Sequence, residues 1–350
     1  MKKVLVTGGG GFLGRAIVQR LVARGDTVRS LARADYPELT GWGVEVVRGD
    51  IEDLDTVERA TEGVDIVYHV AAKAGVWGTR ASFYGPNVHG TDNILQACWK
   101  NGITRLVHTS SPSVVFDGRD IEGADESLPY PKKFHAYYPE TKALAEKTVL
   151  AANGKRLATV SLRPHLIWGP GDNHLIPRIL ARGKTGGLRR VGRRPNLVDS
   201  VYIDNAVDAH ILAGERLDIG SPVAGKAYFI TNGEPWPLWD LINAILAAGG
   251  LPPVTRTIPA RVARAIGSTL EWTYKTLRIT AEPRMTRFVA EELATAHWFN
   301  IDAARRDLGY NPTVSIKEGL QRLESWLKSD PYSLGLHSAA ANGKPLKLKR

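Results

Sequence analysis

What is scarce in this 350-residue chain narrows its reading first. There is one cysteine, Cys98, so no internal disulfide forms and the chain fits a reducing compartment. No stretch approaches the roughly 20 apolar residues that a membrane-spanning helix requires. The longest candidate, LWDLINAILAAGGLPPV, is interrupted by Asp240 and Asn243 and ends in glycine and proline. The opening MKKVLVTGGGG has too short an apolar run for a secretory signal before a glycine turn begins, so the cytoplasm is the expected location. A nucleic-acid recognition motif is also missing, although the net charge is +10. Lys344, Lys347, Lys349 and Arg350 supply four of those charges from the tail, and LRRVGRRP (188–195) holds another cluster. Anionic small molecules account for the rest more simply than nucleic acid does. No metal site is expected.

What is present is an alternation. Apolar, β-rich runs occur at 3–8, 27–33, 44–50, 64–72, 105–111 and 158–164, and segments with helical period, such as FLGRAIVQRLVARG and GTDNILQACWKNG, lie between most of them. Gly25, Gly102 and Gly154 follow three of these helices, where a C-terminal glycine belongs. Strands separated by helices of this length predict an α/β fold, a parallel sheet covered on both faces. After about residue 165 the pattern loosens, and helices are expected near 205–216, 237–249, 259–277, 286–297 and 315–328. They predict a smaller, mainly helical C-terminal lobe over the strand ends, where ligands bind in open sheets.

The first strand runs straight into glycines. Gly9, Gly11 and Gly14 fit G-x-G-x-x-G, while Gly8, Gly11 and Gly14 fit G-x-x-G-x-x-G. Either spacing lets the backbone turn tightly and aim helix N–H groups, with Phe12 and Leu13 next to the turn, at a pyrophosphate. No Gly-Lys-Ser/Thr follows, which excludes a P-loop. The reading is a Rossmann-type doubly wound sheet binding a dinucleotide. At the end of the second strand, where an acid would take the ribose 2′-hydroxyl, the chain has Ala32 and Arg33, with Asp35 two residues further on. An arginine without an acid favours NADP(H) over NAD. Asp50 and Ile51 are expected near the adenine, and Ala71, Ala72 and Lys73 beside the cofactor at the fourth strand's end.

The segment YYPETK (137–142) offers two tyrosines and a lysine. Tyr138 and Lys142 are four apart and share a helix face, so the ammonium is expected to lower the phenol's pKa. Pro139 suits a first helical turn and sets Tyr138 at the helix mouth. With the serine cluster HTSSPSVVF and the glycine turn, this set resembles the extended short-chain dehydrogenase/reductase family. The resemblance assigns catalysis to Ser111, Tyr138 and Lys142, with Ser110 and Ser113 as alternatives in the serine register. It also makes Asn87, in NVHGTDNILQAC, a structural residue, with a proton-relay role as the alternative.

Four further stretches, PSVVFDGRDIEGADESLPYP, YYPETKALAEKTVLAANG, SLRPHLIWGPGDNHLIPRIL and VDSVYIDNAVDAHILA, are similar to the 3β-hydroxysteroid dehydrogenase-like branch. Within it they look closest to the bacterial 2-alkyl-3-oxoalkanoate reductases of long-chain olefin biosynthesis, and next to sterol-4-carboxylate 3-dehydrogenases. The resemblance covers roughly residues 1–330. It implies a dinucleotide domain over 1–165 with return segments near 198–230, a substrate lobe over 166–197 and 231–330, and an unmatched basic tail, expected to be disordered, at 331–350. The implied substrate is a long-chain acid, whose carboxylate has Lys73, Arg163, His165 and Arg178 as candidate partners. Assembly with a β-lactone synthetase and a β-lactone decarboxylase is implied too, and a homo-oligomer is left open. The segment 259–279 sets Val262, Ile266, Leu270, Trp272 and Leu277 among basic residues, which suits peripheral contact with a membrane, a partner face or the wall of an apolar pocket. A nucleotide-sugar epimerase or dehydratase shares the catalytic set, but Arg33 in place of an acid argues against it. An NADP-binding sensor or scaffold would not need Tyr138 and Lys142.

Overall fold

The computed structural model describes residues 1–329, and the tail expected at 331–350 lies outside them. Seven strands form the central sheet: β1 (Lys3–Thr7), β2 (Thr27–Ala32), β3 (Glu45–Arg48), β4 (Ile66–His69), β5 (Arg105–Thr109), β6 (Ala158–Pro164) and β7 (Lys226–Ile230). Their spatial order is β7-β6-β5-β4-β1-β2-β3, and every neighbouring pair is parallel. Six of the seven fall on the runs read from sequence. The seventh, KAYFI, is a short edge strand in the return segment, in register with β6 from Lys226 opposite Val160.

Burial explains why these runs are apolar throughout. Val4, Leu5 and Val6 of β1 are all fully buried, yet they serve different faces. Val4 and Val6 pack with Ile17, Val18 and Leu21, whereas Leu5 packs with Leu31, Val57, Ile94 and Leu106. That is the period-2 alternation of a strand covered on both sides. Each such side chain contributes about 1.5–3 kcal/mol by leaving water.

The covering helices are α1 (Phe12–Ala23), α2 (Leu54–Thr61), α3 (Gly90–Lys100) and α4 (Tyr137–Ala151). The chain continues through α5 (Leu175–Lys184), α6 (Ile203–Arg216), α7 (Leu238–Ala248), α8 (Ala260–Thr276), α9 (Arg287–Ala294) and α10 (Ile316–Ser329). Short strands Trp236–Pro237, Leu197–Val198, His297–Phe299 and Ile121–Ala124 pair in that order as a second, small sheet. Chain order in the main sheet reverses between β1 and β4, and a crevice opens at such a switch point beyond the strand ends. A cavity of about 1080 Å³ starts there, lined by the glycine turn, and runs on to Tyr138, Phe288 and His297.

Candidate active site

The glycine turn follows from sterics. Gly8 sits at φ +71°, a left-handed conformation, and its N–H donates to the Leu31 carbonyl at 2.8 Å. A Cβ on Gly14 would come within 2.2 Å of the Gly8 carbonyl oxygen, so only glycine lets α1 start this close to the turn. Gly11 caps α1 without a side-chain bond, and no acid lies in the first turn. The orphan N–H groups of Phe12 and Leu13 are thus free to receive an anion. Across the crevice, the Thr7 hydroxyl accepts from the Val70 and Ala71 N–H groups and bonds His69 Nδ1 at 2.8 Å, fixing the end of β4.

At the end of β2, Arg33 is exposed and lines the cavity. Asp35 turns away and pairs with Arg48 at 3.2 Å. Lys73 lines the same stretch, and its Nζ donates to the Ser82 hydroxyl at 2.7 Å. Burial and then the nearby Arg33 charge lower the pKa of that ammonium. Asp50, Ile51, Ala71 and Ala72 all line the cavity as well. Asn87 accepts from the Lys73 N–H at 2.7 Å and donates to Lys73 O and to Thr141 Oγ1, joining the loop after β4 to the N-terminal half of α4.

The chemical end forms where β5 meets α4. Ser111 caps the short turn Pro112–Val115, and its Oγ accepts from the Ser113 N–H at 3.2 Å and the Ser113 hydroxyl at 3.0 Å. The Ser111 and Tyr138 side chains line the same cavity. Ser110 Oγ is buried without a partner. Tyr138 lines the cavity in the first turn of α4, while Tyr137 is 37% exposed.

Electrostatics here differ from the sequence expectation. Burial raises the Tyr138 pKa, the neighbouring Ser111 hydroxyl opposes the rise, and the Glu292 carboxyl adds to it. Lys142 does not offset this, because its Nζ donates to the Thr109 carbonyl at 2.5 Å and lies 3.4 Å from His108 Nε2. Its own pKa is pushed down by burial to about 8. The phenol is therefore held as a proton donor.

Two of the expected substrate anion partners are placed elsewhere. Arg163, on β6, is buried and ion-paired with Glu146 at 2.7 Å, and it does not line this cavity. Arg178 pairs with Glu282 at 2.6 Å on the outer side of α5. A strand residue that points away from the ligand face and a helix residue that points to solvent look alike in sequence. His165 does line the cavity, with its ring 4.9 Å from that of His297. Burial, then the neighbouring imidazole, drives the His165 pKa well below its usual value, so it brings no charge.

Sequence reasoning missed Glu292 and His297. His297 is set by the second sheet and by a bond between Nε2 and the Glu292 carbonyl at 2.9 Å. Glu292 extends from α9 into the cavity, and burial pushes its pKa up to about 8, so it is mainly neutral at pH 7. Phe116, Phe288 and Phe299 line the walls nearby. A lone glutamate on an amphipathic helix gives no sequence signal that it faces inward.

This arrangement places a dinucleotide-type turn and a Ser/Tyr/Lys set in one cavity, and the comparisons with known proteins agree with it. The profile of the 3-beta hydroxysteroid dehydrogenase/isomerase family matches residues 5–259. The chain is 51% identical over 330 residues to a 2-alkyl-3-oxoalkanoate reductase of Shewanella oneidensis, covering 92% of this chain and 85% of that one. It is 52% identical over 326 residues to a protein of the same name from Stenotrophomonas maltophilia, with 92% and 98% covered. Among solved structures, UDP-glucuronic acid 4-epimerase from Bacillus cereus in complex with NAD shares the fold, with a TM-score of 0.71, 22% identity, and 93% and 99% covered. The chain belongs to the 3-beta hydroxysteroid dehydrogenase/isomerase family and is an oxidoreductase acting on a CH–OH group or ketone.

Proposed function

We propose that the protein reduces the 3-keto group of a long-chain 2-alkyl-3-oxoalkanoate to the 2-alkyl-3-hydroxyalkanoate with NADPH, as a step of long-chain olefin biosynthesis. The observation that carries this reading is that Ser111, Tyr138 and Lys142 line one aromatic-walled cavity continuous with the glycine turn. Identity of 51% and 52% to two 2-alkyl-3-oxoalkanoate reductases supports the substrate class. Residues 1–165, with the return to the sheet near 198–230, are the cofactor domain in this reading, and 166–197 with 231–330 form the substrate lobe. The cytoplasm is the proposed location, and a β-lactone synthetase and β-lactone decarboxylase the proposed pathway partners.

Gly8, Gly11 and Gly14, with the Phe12 and Leu13 N–H groups, fit a pyrophosphate. Arg33, with Lys73 close enough to feel its charge, supports the 2′-phosphate of NADP over the bare hydroxyl of NAD. When bound, the dinucleotide supplies a hydride to the carbonyl carbon. Tyr138, held protonated by its surroundings, donates a proton to the carbonyl oxygen as the charge develops, and Ser111 hydrogen-bonds the same oxygen. Lys142, at the same end of the cavity, would hold the nicotinamide ribose. A substrate carboxylate meets Glu292 in its neutral form, so the two do not repel at pH 7.

The test offers the purified protein a long-chain 2-alkyl-3-hydroxy acid and a 4-carboxysterol, each with NADP and with NAD, and follows the reduced cofactor. Turnover of the alkyl acid with NADP is expected. Turnover of the sterol acid alone would move the substrate assignment to sterol-4-carboxylate dehydrogenation, and NAD purified bound to the protein would revive the epimerase alternative.

A further inference from the structure

Helix α8 is the least covered helix of the lobe, and its surface chemistry is specific. Only Ala263 and Gly267 are buried. They press against the start of α9, where a Cβ on Gly267 would sit 2.6 Å from the Thr286 backbone. Outside that seam, Val262 is 41% exposed, Ile266 44%, Trp272 69% and Leu277 65%, with Ile279 just beyond at 36%. Isolated exposed apolar residues are ordinary, whereas five on one helix and its C-terminal extension form a patch that calls for a cover.

The charges around the patch indicate which cover. Arg261, Arg264, Lys275 and Arg278 alternate with these apolar residues, and all are exposed. The ion pairs on this side of the lobe engage Arg178, Arg194 and Arg287. The four basic residues of the 261–278 stretch have no such partner among the described residues. The segment LRRVGRRP runs alongside, because Arg190–Val191 pairs with Thr257–Ile258 just before α8 begins, with Arg190 N–H on Arg256 O at 2.9 Å, and it adds the exposed Arg193. Uncompensated cations beside partly exposed aliphatic and indole side chains suit the interface of an anionic bilayer, where the apolar groups enter the headgroup–acyl boundary and the cations meet phosphates. No helix among the described residues is long and apolar enough to cross a membrane, so the contact lies in the plane of the interface.

We propose that α8, its extension to Ile279 and the adjoining basic strand form a docking surface for anionic phospholipid bilayers. Tyr274 of α8 packs edge-on against Trp77 with 6.0 Å between centroids, and Gly75 and Val76, just before Trp77, line the cavity. Docking therefore holds the rim of the active cavity beside the lipid, which suits the long-chain substrate if the reading above is right; the surface itself does not depend on that reading.

Flotation of the full chain with vesicles tests this. Binding is expected to phosphatidylcholine mixed with phosphatidylglycerol, not to phosphatidylcholine alone, and to fall as salt rises. Ile266→Ser/Trp272→Ser/Leu277→Ser, and separately Arg261→Gln/Arg264→Gln/Lys275→Gln/Arg278→Gln, should each lower the bound fraction about tenfold at unchanged melting temperature. In the unaltered chain, amide exchange over 260–279 should slow when mixed vesicles are added. Wild-type binding by both variants, or unchanged exchange over 260–279, overturns the proposal. So does sedimentation showing that the serine variant turns a dimer into a monomer, since a second copy would then be the cover.

Discussion

Arg163 holds the carboxylate of Glu146 through Nη2–Oε1 at 2.7 Å and Nε–Oε2 at 3.0 Å, with both side chains inside the protein. Tyr130 donates its hydroxyl to the same carboxylate at 2.7 Å. Glu146 follows Lys142 by one helical turn, so β6 grips α4 directly behind the residues proposed for catalysis. Removing one partner of a buried pair strands the other charge, which costs about 3–5 kcal/mol. Arg163→Met should therefore lower unfolding free energy by that amount in urea titration. A loss under about 1 kcal/mol would place the pair among the inconsequential ones.

Tyr138→Phe keeps the ring and removes the proton. The expected result is an unchanged dissociation constant for NADPH and a kcat for ketone reduction lower by about 10²–10⁴. Ser111→Ala removes a donor to the developing oxyanion and should cost about 10²–10³ in kcat. Steady-state kinetics with fluorescence titration of the cofactor separates the two effects. Equal turnover by the phenylalanine variant removes Tyr138 from the mechanism.

Arg33 decides cofactor choice in this reading. A hydrogen bond to a charged group contributes about 1.5–3 kcal/mol, or roughly 10- to 150-fold in affinity. Arg33→Ala should weaken NADPH by that factor and leave NADH nearly unchanged. Parallel weakening of both would show that the guanidinium does not discriminate the 2′-position.

How much of this was legible follows from where each signal lives. The glycine turn, six of seven central strands and the Tyr138–Lys142 spacing are local patterns, and chain chemistry alone specifies them. Strand β7 escaped because its five residues leave and rejoin irregular chain, and only pairing with β6 makes them a strand. Arg163 and Arg178 were misplaced for a related reason: which way a side chain points at the end of β6 or on α5 depends on partners, Glu146 and Glu282, that lie 17 and 104 residues away. Glu292 reaches the cavity through the packing of the lobe, which no spacing encodes. The expected acidification of the phenol failed because burial, with Glu292, raises its pKa, while the Lys142 ammonium is engaged by the Thr109 carbonyl.

Lys142 and Glu292, which both line the cavity, set the pH dependence. Lys142, pushed down to about 8, is charged below that pH and neutral above it. Glu292, pushed up to about 8, is neutral below and anionic above. Both deprotonations make the cavity more negative: one removes the ammonium that would hold the nicotinamide ribose, and the other adds negative charge where an acid substrate must enter. Reduction should therefore fall as pH rises through about 8, and log kcat/KM, which follows the free enzyme, should approach a slope of about −2. The apparent values belong to the pair, so substitution is needed to assign them. Glu292→Gln should relax the slope to about −1 by leaving only Lys142 to titrate, and Lys142→Arg should relax it to about −1 by leaving only Glu292. A slope that stays near −2 in the glutamine variant would show that Glu292 does not lose its proton in this range.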